Sequence, residues 1–96
     1  MRLGTLYRLK GDSSKAIASF QAAKELAPRS PLVEGALGDA FRAAGRNAEA
    51  MASYRRALAL DPNNYAANYL LGRTLIAEGQ TDEGKALLDK VKSLQQ

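Results

Sequence analysis

Apolar and small residues recur along the chain at a fixed interval of 34 positions. The pair Leu3-Gly4 is repeated as Leu37-Gly38 and again as Leu71-Gly72. The same interval, with no insertion, relates Gly11 to Gly45, Ala16 to Ala50, Phe20 to Tyr54, Ala23 to Ala57 and Pro28 to Pro62. A period of this length is typical of a solenoid, in which each unit buries its apolar face against its neighbours. We therefore expect a repeat protein, a class that generally binds partners and seldom catalyses reactions.

Turn and cap residues predict two helices in the middle unit, residues 31–64. Ser30 is expected to cap the first helix, and Pro31 occupies its first position, where a missing N–H costs nothing. Gly45 is suited to the left-handed conformation that ends a helix, and Asn47 is expected to cap the second one.

The outer units carry the same signals. Asn64 and Thr81 are the matching caps of the last unit, with Gly79 between them, and Gly11-Asp12-Ser13 is expected to form the turn of the first unit. Small residues at Gly38, Ala50 and their equivalents fall where two antiparallel helices must approach closely. Three such hairpins give six helices, so the predicted fold class is all-α.

Composition excludes several classes of function. The chain has no Cys and no His among its 96 residues, so it lacks thiolate metal ligands, disulfides and the commonest general base. No apolar run approaches the ~20 residues that a membrane span needs. The net charge of +4 is mild, and Arg55-Arg56 is the only basic doublet, so no nucleic-acid-binding tract is indicated.

The middle unit carries a recognisable signature at fixed offsets: Leu37-Gly38, Phe41, Ala50, Tyr54, Ala57 and Pro62. This pattern resembles the tetratricopeptide repeat, whose 34-residue period it shares. The resemblance covers essentially the whole chain and implies a right-handed α-solenoid of antiparallel helical hairpins. One departure is that Glu34 and Asn68 stand where the signature has Trp.

We expect one domain over residues 1–96, with units 1–30, 31–64 and 65–96. The first unit lacks the opening turn of its first helix, whereas Lys85 and Lys92 give the third the water-facing character of a C-terminal cap. The hypothesis is that the chain is the C-terminal piece of a longer array. The alternative is a short protein that covers its uncapped N-terminal edge by self-association or domain swapping.

In the family, the first helices of successive repeats line a concave groove that holds a peptide. The resemblance would place these residues in that groove: Thr5, Arg8, Leu32, Gly35, Asp39, Arg42, Tyr69, Arg73 and Ile76. The guanidinium groups suit carboxylates and Tyr69 would be a flat apolar anchor. A second interpretation, left open, is an ordinary solvated face.

The sequence thus favours a protein–protein interaction scaffold that binds a peptide or partner protein, with an acidic partner as one option. A structural or self-assembly module is the alternative. We predict no catalytic, metal or cofactor site, because the Ser residues have no base to activate them and no phosphate-binding loop occurs. Specific nucleic-acid binding and membrane insertion are not expected, and the Ala-rich repeats with Asp-Pro-Asn-Asn turns resemble bacterial ones. The compartment stays open between cytoplasm and periplasm.

Overall fold

The computed structural model describes the backbone of residues 2–95 and the side chains of residues 13–95. Within this part of the chain there are five helices and no strand: α1 Arg2–Leu26, α2 Pro31–Ala43, α3 Asn47–Leu60, α4 Tyr65–Ala77 and α5 Thr81–Leu94. Each helix packs on the next along the chain. The all-α prediction is confirmed, and the prediction of six helices is wrong.

The missing turn is the one expected at Gly11-Asp12-Ser13, which lies inside α1. The later hairpins instead turn at glycines with positive φ, 79° at Gly45 and 87° at Gly79. A continuous α1 keeps the i to i−4 hydrogen bonds that a turn would interrupt. Its main local cost is the low helix propensity of Gly11, about 1 kcal/mol relative to Ala.

The starts of α2 and α4 follow the predicted caps. The Ser30 side chain accepts a hydrogen bond from the N–H of Val33 at 3.2 Å, and the side chain of Asn64 accepts from Ala67 at 2.9 Å. These bonds satisfy backbone donors that the first helical turn leaves free.

The caps predicted at Asn47 and Thr81 are wrong, because both residues are already helical. The N–H of Arg46 donates to the carbonyl of Phe41 at 2.8 Å, and Gln80 does the same to Leu75. This bond closes the C-terminal motif of the preceding helix around its glycine. The residue after the glycine therefore ends one helix and starts the next, which leaves no position for a separate cap.

Small residues set the spacing within the hairpins, as predicted. A Cβ atom on Gly38 would lie 2.5 Å from Cε1 of Tyr54, whose side chain is fully buried. In the last hairpin, a Cβ on Gly72 would lie 3.0 Å from the carbonyl oxygen of Gly84 and 3.1 Å from Leu88. Helix α2 thus lies directly against the Tyr54 ring of α3, whereas α4 and α5 touch almost backbone to backbone at Gly72 and Gly84.

The last helix presents charge where the earlier units present apolar groups. Lys85 and Lys92 are exposed, whereas Ile17 is buried and Met51 and Leu58 are half-buried at the equivalent positions. The role of α5 as a cap stays a prediction. Among residues 2–95, no helix combines the length and apolarity required to cross a lipid bilayer.

Candidate functional site

A groove runs between α2 and α4, and its two ends differ in chemistry. The apolar end is a cavity with walls of small and aliphatic side chains above the ring of Tyr54: Pro31, Leu32, Gly35 and Ala36 from α2, and Ala66, Ala67 and Leu70 from α4. Leu32 is 81 % exposed at the edge of these apolar side chains. This end therefore offers apolar surface to a ligand.

The other end of the groove is basic. Arg42 from α2 and Arg73 from α4 line one cavity, together with Asn47, Thr74 and Ala77. Arg42 lies 3.9 Å from the carboxylate of Asp39, whereas Arg73 has no carboxylate within 4.0 Å among residues 13–95. Among the described side chains, the charge of Arg73 is therefore not paired with a carboxylate.

Asp39 stands in the wall of the apolar cavity, one helical turn from Arg42. The hydroxyl of Tyr54 donates a hydrogen bond to Asp39 Oδ1. Burial raises the pKa of Tyr54, and the bond to Asp39 raises it further because ionisation would remove the donated proton. Tyr54 thus remains a donor over the physiological pH range and fixes the carboxylate.

At the basic end Arg73 contacts an aromatic ring on its own helix. Arg73 Nη1 donates to the hydroxyl of Tyr69 at 3.0 Å, and its guanidinium carbon lies 5.7 Å from the centre of that ring. Tyr65 stacks beside Tyr69 with ring centres 6.4 Å apart and an angle of 10°. Both rings are partly exposed, so they form a flat amphipathic surface along α4, in which Arg73 holds the Tyr69 ring.

The chain has the sequence signature of a known repeat family. Tetratricopeptide repeat models match residues 41–96 and residues 1–30. The chain belongs to the tetratricopeptide repeat family. Such repeats generally mediate protein–protein interactions, and proteins built from them are typically non-enzymatic scaffolds. A search of curated proteins finds no match to the chain.

The predicted groove residues of this tetratricopeptide repeat chain separate into four sets. Leu32, Gly35 and Asp39 line the apolar cavity, and Arg42 and Arg73 line the basic one. Tyr69 joins the basic end through its bond to Arg73. Ile76 instead packs toward α5, where a Cβ on Gly84 would lie 2.6 Å from its Cγ1. The side chains of Thr5 and Arg8 lie outside the described residues.

Sequence reasoning missed several residues that line the two cavities. Leu70 and Thr74 lie one and two turns after Ala66 on the same face of α4, so helical spacing would have indicated them. Asn47 reaches the basic cavity from the start of α3. Only the three-dimensional turn at Gly45 brings it there, and no sequence signal marks it.

The groups in the groove are suited to binding. The described residues contain no group of three or more His, Cys, Asp or Glu side chains placed to hold a metal ion. Guanidinium groups, a fixed carboxylate and tyrosine rings supply hydrogen bonds and apolar contact instead.

Proposed function

We propose that this tetratricopeptide repeat chain is an interaction scaffold whose α2–α4 groove binds an extended segment of a partner protein. In this proposal, units 1–30, 31–64 and 65–96 form one right-handed solenoid. The single observation that carries it is that Arg42 and Arg73, from different repeats, line one cavity beside an exposed apolar one.

The apolar end would receive one uncharged anchor side chain of the ligand. Burying an aliphatic or aromatic side chain there is favourable by about 25 cal/mol for each Å² of apolar surface removed from water. Leu32 and Leu70 would supply much of the aliphatic contact, since the Gly and Ala residues of the wall are small.

The basic end would receive a carboxylate. Arg73 has no carboxylate partner among residues 13–95 and would pair with it while its Nη1 donates to Tyr69. Arg42 would add a second positive charge, although this charge also interacts with Asp39. Asp39 would also repel an acidic side chain from the apolar end. This repulsion determines which end of the groove receives the acidic group of the ligand. The preferred segment is therefore an apolar residue followed or preceded at a short distance by Asp, Glu or a terminal carboxylate.

Selection from a randomised peptide library on the immobilised chain would test this. We expect the selected peptides to be enriched in Asp and Glu and to contain one large apolar residue. The double variant Arg42→Glu, Arg73→Glu should bind the best peptide at least tenfold more weakly than the original chain. The helical circular dichroism of the variant should be unchanged.

The matched control is Arg29→Glu with Lys85→Glu, which makes the same change in net charge at exposed residues outside the groove. It should bind the peptide nearly as well as the original chain. Equal weakening by both double variants would show an effect of overall charge only, and peptides without acidic residues would contradict the proposed groove chemistry.

A further inference from the structure

A second groove lies between the C-terminal part of α1 and α2. Its cavity of about 360 Å³ is bordered mainly by small apolar side chains and one ring: Ala16 and Phe20 from α1, and Ala36, Ala40 and Ala43 from α2. Ser13 and Asp39 complete the lining. Such a wall of small residues is what close approach of another helix requires.

The corresponding place in the other two hairpins is occupied by a helix. Phe20 is the 34-residue equivalent of Tyr54 and Leu88. Tyr54 is covered by α2 at Gly38 and fully buried, and Leu88 is covered by α4 at Gly72. Phe20 is only half-buried and lines an open cavity.

The sequence that would cover Phe20 is present in the chain. Leu3-Gly4 matches Leu37-Gly38 and Leu71-Gly72, the two dipeptides that lie in the covering helices. However, α1 is continuous from Arg2 to Leu26, so this segment continues along the helix axis and does not fold back onto its own groove.

We propose that the groove is filled by residues 3–10 of a second copy of this chain, and that the two copies exchange these segments reciprocally. A two-fold axis makes the exchange mutual, so both grooves are covered and neither segment is left alone. Charge supports this occupant, because residues 2–10 contain Arg2, Arg8 and Lys10 and no acid, while the groove contains the carboxylate of Asp39.

The exchange would also extend the ligand groove. Ala36 and Asp39 line both cavities, so the inserted helix would lie beside α2 opposite α4. Arg8 occupies the register position of Arg42, one period earlier. Each binding surface would then be completed by a residue of the other copy.

Two substitutions in α1 separate exchange from closure within one chain. Closure needs a turn at Gly11, and both observed turns have glycine with positive φ, which Ala rarely adopts. Gly11→Ala should therefore preserve an exchanged dimer and oppose a closed monomer. Gly4→Leu also favours a continuous helix, because Leu has a higher helix propensity than Gly. However, Gly4 is the equivalent of Gly38, where even a Cβ atom would clash, so the Leu side chain should prevent the segment from packing in the groove.

Sedimentation velocity over a wide range of concentration is the test, with circular dichroism to confirm that each variant is helical. We expect the original chain and Gly11→Ala to reach twice the chain mass of 10.3 kDa. Gly4→Leu and the groove variant Ala43→Arg, at an exposed position, should raise the dimer dissociation constant at least tenfold. A monomeric original chain, a monomeric Gly11→Ala variant or an unaffected Gly4→Leu dimer would each overturn the proposal.

Discussion

Arg56 on α3 holds the buried carboxylate of Glu34 on α2, with its Nε atom 3.2 Å from both carboxylate oxygens. Lys24 on α1 reaches the same carboxylate at 3.1 Å. Glu34 stands where the repeat signature has Trp, so ionic contacts from two neighbouring helices replace an aromatic contact. At the equivalent position Asn68 is also buried, and its amide donates to the carbonyls of Pro62 and Asn64.

Removing this carboxylate should destabilise the protein. Glu34→Ala leaves two charged donors without their acceptor, and we expect a loss of about 1–2 kcal/mol in the free energy of unfolding. The loss is limited because Lys24 and Arg56 are 35 % and 47 % exposed and are able to turn to water. Glu34→Leu should recover part of it, since an apolar side chain refills the buried volume while Lys24 and Arg56 turn to water.

Urea unfolding of both variants measures this difference. Glu49→Ala is the control, because it removes an exposed pair with Arg46 within one helix turn and should change stability little. Glu34→Ala with the stability of the original chain would contradict the structural role of the pair.

Two glycines on α2 should respond in opposite directions to the same substitution. Gly38→Ala places a Cβ against the buried ring of Tyr54 and should destabilise by about 1–3 kcal/mol, the usual cost of overpacking. Gly35→Ala meets nothing within 4 Å and should stabilise by about 0.5–1 kcal/mol through helix propensity. Thermal and urea unfolding of the two single variants measure both effects, and a shared sign would contradict the packing described.

The sequence was sufficient for features that rest on local chemistry repeated at a fixed interval. Ser30 and Asn64 cap as predicted because a side-chain oxygen three residues before a free N–H is a local arrangement. Gly38 lies at a close approach between helices as predicted, and its 34-residue equivalent Gly72 does the same.

Features that depend on packing between helices could not be predicted in this way. Gly11-Asp12-Ser13 has the register of a turn, yet whether it turns depends on what the preceding segment packs against, and α1 continues through it. Ile76 has the register of a groove residue, but the small size of Gly84 lets it pack toward α5. Neither outcome is determined by the residues immediately beside these positions.

Alkaline pH should weaken the protein through Tyr54. Its pKa is raised in the folded state, chiefly by burial, so the folded protein retains this proton at pH values where the unfolded chain releases it. The stabilisation is fully present below the unfolded pKa of about 10 and is lost progressively as the pH rises above it. Tyr54→Phe should remove this component, and comparison of urea unfolding at pH 9 and pH 11 measures it. Identical pH dependence in the two proteins would show that Tyr54 does not contribute.

The packing of each helix on its neighbour in sequence also affects how the chain reaches this fold. Hairpins such as α2–α3 and α4–α5 close over turns of a few residues, so little loop entropy is lost before their contacts form. Chains dominated by such local contacts fold rapidly, and a linear array allows either hairpin to form first. A substitution in one hairpin should therefore redirect the order of assembly toward the other without blocking it.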